Sequence, residues 1–175
     1  MCHFLYIASP LTLSEVRSML PEGLSADLLD PAEARLLLPL HTSARTFARL
    51  LAGPCSCDLF VQRDPDARQD EADLRRRFRS LGLSRDRTIA ALDRHRRHAP
   101  DGHPPEHWAR ALAAFVAEHA RNAGPTLYFR HVSPNGIVAQ PPPRGVVRLT
   151  VPEVLAAPGE WLKENQATMV VRPAA

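Results

Sequence analysis

Extended apolar segments stand at both ends of this chain and helix-patterned stretches fill its middle, and that arrangement constrains the fold more than any single motif. Residues 2–8 alternate weakly and carry Phe4, Leu5, Tyr6 and Ile7, the composition of a buried strand. Residues 126–132, 146–150 and 168–172 return to strand-like composition near the other end. Between them, residues 70–81 place Leu74, Phe78 and Leu81 at i, i+4, i+7, with Gly82 suited to end a helix. Ser84 can cap a second helix reaching about residue 97 and buried through Ile89 and Leu92. A third, over 106–122, aligns Trp108, Leu112, Phe115 and His119 on one stripe before Gly124 and Pro125 stop it. Terminal strands around a central helical segment, at about 70–122, predict one α+β domain over residues 1–175 with a mixed or antiparallel sheet. At 175 residues and 45% apolar, the chain is large enough to bury one core.

The first third is less regular. Thr12 to Glu15 has capping-box spacing and predicts a short helix ending before Pro21. The run Leu36, Leu37, Leu38 lies in a segment, 34–40, that is either strand or short helix, because Pro39 is unsuited to a central strand. Phe47, Leu50 and Leu51 follow helical spacing over 43–52, with an extended segment as the alternative. Residues 55–62 read as a strand through Leu59, Phe60 and Val61.

Chemistry concentrates in three cysteines, at Cys2, Cys55 and Cys57. Two thiols at i, i+2 in an extended segment face one side, yet their Cα atoms are about 6–7 Å apart, near the limit of disulfide geometry. One metal ion at about 2.3 Å from each sulfur spans that gap without strain. Soft thiolates favour zinc, with copper(I) or an iron–sulfur cluster as other thiophilic possibilities. Zinc with three cysteines takes a fourth ligand: His41, which precedes the cysteine segment, is the first candidate and His3 the second. On a regular strand Cys2 and His3 alternate faces, so both bind one ion only if the strand starts after them. His119 and His131, on apolar elements, read as hydrogen-bonded core histidines, and His95, His98, His103 and His107 as solvated ones.

Position 2 opens a second chemistry. Loss of Met1 leaves Cys2 with an α-amine of pKa about 7.7–8.0 that can act as base for its own thiol, making Cys2 the catalytic residue of a metal-free nucleophile enzyme. The opening Met1-Cys2-His3-Phe4, with Cys55 and Cys57 downstream, resembles a bacterial protein group of unassigned activity that begins MC or MCHF and carries a Cys-x-Cys-Gly motif near residue 50–60. Asp58 stands here where that group's glycine is expected. The resemblance covers the first third and implies a shared cysteine site, with no substrate attached to it.

Nothing else in the chain nominates a reaction. P-loop, dinucleotide-binding, nucleophile-elbow and HExxH patterns are missing. Net charge is +3, and the single lysine, Lys163, leaves arginine to carry the positive charge. Arg75, Arg76, Arg77, Arg79, Arg85 and Arg87 lie in helical pattern around Gly82, which would allow phosphate contacts. The interleaved Asp70, Glu71, Asp73, Asp86 and Asp93 favour an ion-paired surface over a nucleic-acid partner. No apolar run approaches a membrane span, no basic leader precedes the first strand, and the odd cysteine count argues against disulfide stapling. The expectation is a cytoplasmic bacterial metal-binding protein, its metal structural or, with water as a ligand, hydrolytic.

Overall fold

A computed structural model describes residues 2–52, 56–60, 75–76, 79, 84–86, 88–89, 92, 105–133 and 145–172. Their order is β1 (Cys2–Ser9), α1 (Leu13–Ser18), β2 (Leu24–Leu28), α2 (Pro31–Leu37), β3 (Thr46–Ala52), α3 (Pro105–Ala123), β4 (Thr126–Ser133), β5 (Val146–Thr150), α4 (Val151–Ala156) and β6 (Ala167–Val171). Single-turn 3₁₀ helices occupy Leu38–Leu40 and Ser56–Leu59. The strands form one mixed six-stranded sheet in the order β2-β3-β1-β4-β6-β5. All neighbouring pairs are antiparallel except β5 and β6, which α4 joins in parallel. This is the single α+β fold expected: the N-terminal strands form one half of the sheet and the C-terminal strands the other, and the halves meet where β1 pairs with β4.

Local chemistry explains several boundaries. Thr12 and Glu15 exchange both bonds of a capping box at α1. Asp30 and Glu33 do the same at α2, where Pro31 also fits the first turn. The segment 34–40, open between strand and helix, is therefore helical. Alternation along β1 sends Leu5 and Ile7 into a core with α1, α3 and α4 through Val16, Phe115, Val116 and Val154. Tyr6 and Ala8 face the opposite core, with Leu37, Leu127 and Phe129.

Three expectations need correction. The helical spacing over 43–52 belongs to a strand: β3 is paired on both sides, by β1 and β2, and buries Thr46, Ala48, Leu50 and Ala52 at period two. Two-sided pairing outweighs a spacing that Phe47, Leu50 and Leu51 share with helices. The strand expected over 55–62 is a 3₁₀ turn at its described residues. Ile89, expected in the core, is 47% exposed, whereas Leu92 is buried. The helical residues Arg75, Arg76, Arg79 and Arg85 are exposed; Leu74, Phe78, Leu81 and Arg87 lie outside the described residues. Among the described residues no helix is long and apolar enough to cross a membrane.

Candidate functional site

The pairing of β1 with β3 runs from Ser9↔Thr46 to Leu5↔Leu50 and stops there. Beyond it the main-chain donors of β1 need other acceptors, and the 3₁₀ turn supplies them. The Leu5 N–H donates to Ser56 Oγ at 3.1 Å, and the Ser56 hydroxyl donates in turn to the Leu50 carbonyl at 2.5 Å. Two residues along the same strand edge, the His3 N–H donates to Cys57 Sγ at 3.3 Å. A serine hydroxyl and a cysteine sulfur thus continue the ladder that β3 leaves. Cys57 is in no disulfide, and its Sγ also lies 3.9 Å from the His3 carbonyl, to which a thiol donates.

The His3 ring packs against Phe60 with centroids 5.6 Å apart, and its Nδ1 lies 3.2 Å from Arg130 Nη2. Arginine only donates, so Nδ1 accepts and the neutral ring carries its proton on Nε2. Burial, with the Arg130 charge second, holds the His3 pKa below its usual value, which agrees with this assignment. Arg130 also bonds Glu164 at 3.0 Å and covers the Phe60 ring at 4.2 Å from its centroid. Burial lowers the Arg130 pKa, and Glu164 opposes that. Arg130 and Phe60 open onto a cleft of about 230 Å³ walled by Leu59, Leu112, Trp161 and Leu162.

This geometry separates the five residues expected at a metal. Cys57 and the backbone of His3 are together. The lone pair of His3 is committed to Arg130, so in this arrangement the ring does not ligate. His41 is elsewhere: its Nε2 donates to the Pro125 carbonyl at 2.8 Å, just before β4. Val132, the partner of His3, stands seven positions after Pro125, which in a strand is about 23 Å. His41 therefore sits at the other end of the sheet from Cys57. Cys2 is a strand residue opposite Ser133, and only its backbone is described; Cys55 lies outside the described residues. Among the described residues no group of three or more His, Cys, Asp or Glu is placed to hold a metal ion.

The far end of β1 holds a closed polar chain. Ser9 Oγ is 2.7 Å from His119 Nε2, and His119 Nδ1 is 2.6 Å from the Tyr128 hydroxyl. All three residues are fully buried, so Ser9 is not an accessible nucleophile. Burial, with His41 adding to it, lowers the His119 pKa to about 4; burial raises that of Tyr128. His131 is also buried, stacked against Phe4 across the strand pair and Phe129 along its own strand, with centroids 6.0 and 6.2 Å away.

Sequence reasoning passed over Ser56, Phe60 and Arg130. The visible signal for Arg130 is a charge inside the apolar strand that runs from Leu127 to Val132, a position that demands a partner. Ser56 carries no such signal, since its role depends on where β3 ends. Comparison with family models, with characterised proteins and with solved structures found no match to this chain.

Proposed function

We propose that the chain is a bacterial cytoplasmic metal-binding protein that holds zinc through Cys2, Cys55 and Cys57. The observation that carries this reading is the 3.3 Å bond from the His3 N–H to Cys57 Sγ. It sets residue 57 against the start of β1, where Cys2 is the adjacent residue, about 3.8 Å away between Cα atoms, and Cys55 is two positions from Cys57. Three sulfur donors are a soft set that suits zinc, and the N–H directed at Cys57 is the kind of outer hydrogen bond that supports a metal thiolate. A fourth protein ligand makes the ion a clamp between β1 and the Ser56–Leu59 turn, adding its binding free energy to folding. A water there would instead supply Lewis-acid hydrolysis.

Metal analysis of protein purified without a histidine tag tests the reading. About one zinc per chain is expected, and Cys57→Ser should release it and lower the melting temperature of the holoprotein. Metal-free protein whose stability is unchanged by added zinc or by Cys57→Ser would overturn it, and would turn attention to Cys2 as a nucleophile.

A further inference from the structure

The cleft beside Arg130 has a lining that the cysteines do not explain. Its floor is apolar and fixed: Leu59, Leu112, Trp161 and Leu162 are buried members of the main core. Trp161 is further held edge-on against Tyr128, with ring centroids 5.4 Å apart. Among the described residues only two charged side chains line this space, Arg130 and Glu106.

Arg130 follows Tyr128 by two positions on β4 and so shares its face of the sheet, the one that α3 covers. The Asn165 N–H donates to its carbonyl at 2.7 Å, and its guanidinium lies over the Phe60 ring. Nη2 makes both side-chain bonds, to His3 Nδ1 and to Glu164 Oε1. Nε is buried without a partner, and Nη1 has none among the described residues. Glu164 stands outside the cleft, and its side chain is 53% exposed against 17% for Arg130. Water therefore takes much of that carboxylate's charge, and the arginine keeps donors for a second one.

Glu106 comes from the first turn of α3, on the helix side that brings Ala109 and Leu112 to the same cleft. It is exposed and makes no ion pair or hydrogen bond among the described residues. A cation and an anion that do not pair with each other, set over a fixed apolar floor, are complementary to a zwitterion with an apolar side chain. Size agrees. The cleft, about 230 Å³, is larger than the roughly 150 Å³ cavity that holds a benzene ring. It is smaller than the about 300 Å³ at which drug-sized sites begin.

We propose that this cleft binds a free α-amino acid with an apolar side chain. Its carboxylate accepts from Arg130 Nη1, its ammonium donates to Glu106, and its side chain rests among Leu59, Leu112 and Trp161. The inference uses no cysteine and stands apart from the zinc reading.

Calorimetric titration with L-leucine and L-phenylalanine tests it, each beside its analogues lacking the amine (4-methylpentanoate, 3-phenylpropanoate) or the carboxylate (3-methylbutylamine, phenethylamine). An amino acid should bind at one site, and either truncated analogue at least about tenfold more weakly, because each loses a charge-assisted bond. Glu106→Gln should weaken the amino acid about tenfold and erase its advantage over the analogue without an amine. Gly159 lines the cleft, and a Cβ there meets no atom within 4 Å, so Gly159→Trp should occlude the space and abolish binding. Arg130→Met should abolish it too, but it also strips His3 and Glu164 of their partner. Glu106→Gln and Gly159→Trp, both at exposed positions, therefore decide the matter, with melting curves showing that each variant folds. Wild-type protein that binds neither amino acid at millimolar concentration overturns the inference. So does binding that either variant leaves unmoved, or a truncated analogue that binds as tightly as its parent.

Discussion

Two buried histidines, one near each end of β1, are alike in exposure and opposite in satisfaction. His119, toward the Ser9 end, has both nitrogens matched, by the Ser9 and Tyr128 hydroxyls, and is fully enclosed. His131, toward the Cys2 end, has one nitrogen held by Asn165 and the other facing nothing among the described residues. Burial alone would class both as core histidines. What separates them is the count of hydrogen bonds, since interiors rarely leave a polar atom unmet unless something outside the protein meets it. The first end of the strand is a closed chain of hydrogen bonds, and the second leaves one buried ring nitrogen unmet among the described residues.

The hardest blow to that contrast would be a mild effect at the closed end. His119→Ala should remove about 3–5 kcal/mol of stability, because it empties a fully buried volume and strands two hydroxyls. Urea unfolding measures it, and a loss under about 1 kcal/mol would mean that the chain Ser9–His119–Tyr128 does not hold the core together.

Acid should find the same place. The folded state keeps His119 neutral with a pKa of about 4, while the unfolded chain titrates near 6.5. Between those values the unfolded state binds the extra proton, so stability is complete above pH 6.5 and falls as pH drops toward 4. The loss over that window is about 3 kcal/mol. It should be absent from the stability–pH curve of His119→Gln, which has nothing to titrate at that position; a variant that keeps the full acid slope would place the effect on other groups.

A smaller effect sharpens the other end. Ser56→Ala leaves the Leu5 N–H and the Leu50 carbonyl without their bridging hydroxyl and should cost about 1–3 kcal/mol. If the turn carries Cys57 to β1, zinc affinity should fall together with stability. A stability loss with zinc affinity intact would detach the ladder from the site.

The elements with strong periodicity or capping chemistry were readable. β1, β4, β5 and β6 lie where apolar β-formers cluster, α1 where Thr12 and Glu15 are spaced to cap, and α3 where the Trp108–Leu112–Phe115–His119 stripe runs. β3 was not, because Ala48 and Ala52 are small residues whose burial is silent in a pattern search. β2 was missed because it is an edge strand that buries Ala26 alone and leaves Leu28 64% exposed, so its amphipathic signal is nearly absent.

For the site, the sequence by itself determined the donor types: three thiols, two of them at a spacing that favours a shared ion, with histidines in supply. The tertiary structure decided where the histidine nitrogens are spent. His41 and His3 were nominated by nearness along the chain, and each spends a ring nitrogen on a protein partner, Pro125 and Arg130 respectively. His131 is distinguished by Asn165, 34 residues further along, whose oxygen fixes the proton on one nitrogen and bares the other. A histidine's capacity to ligate is set by the hydrogen bond at its second nitrogen, and that bond comes from whatever the fold brings beside it, which no local spacing encodes.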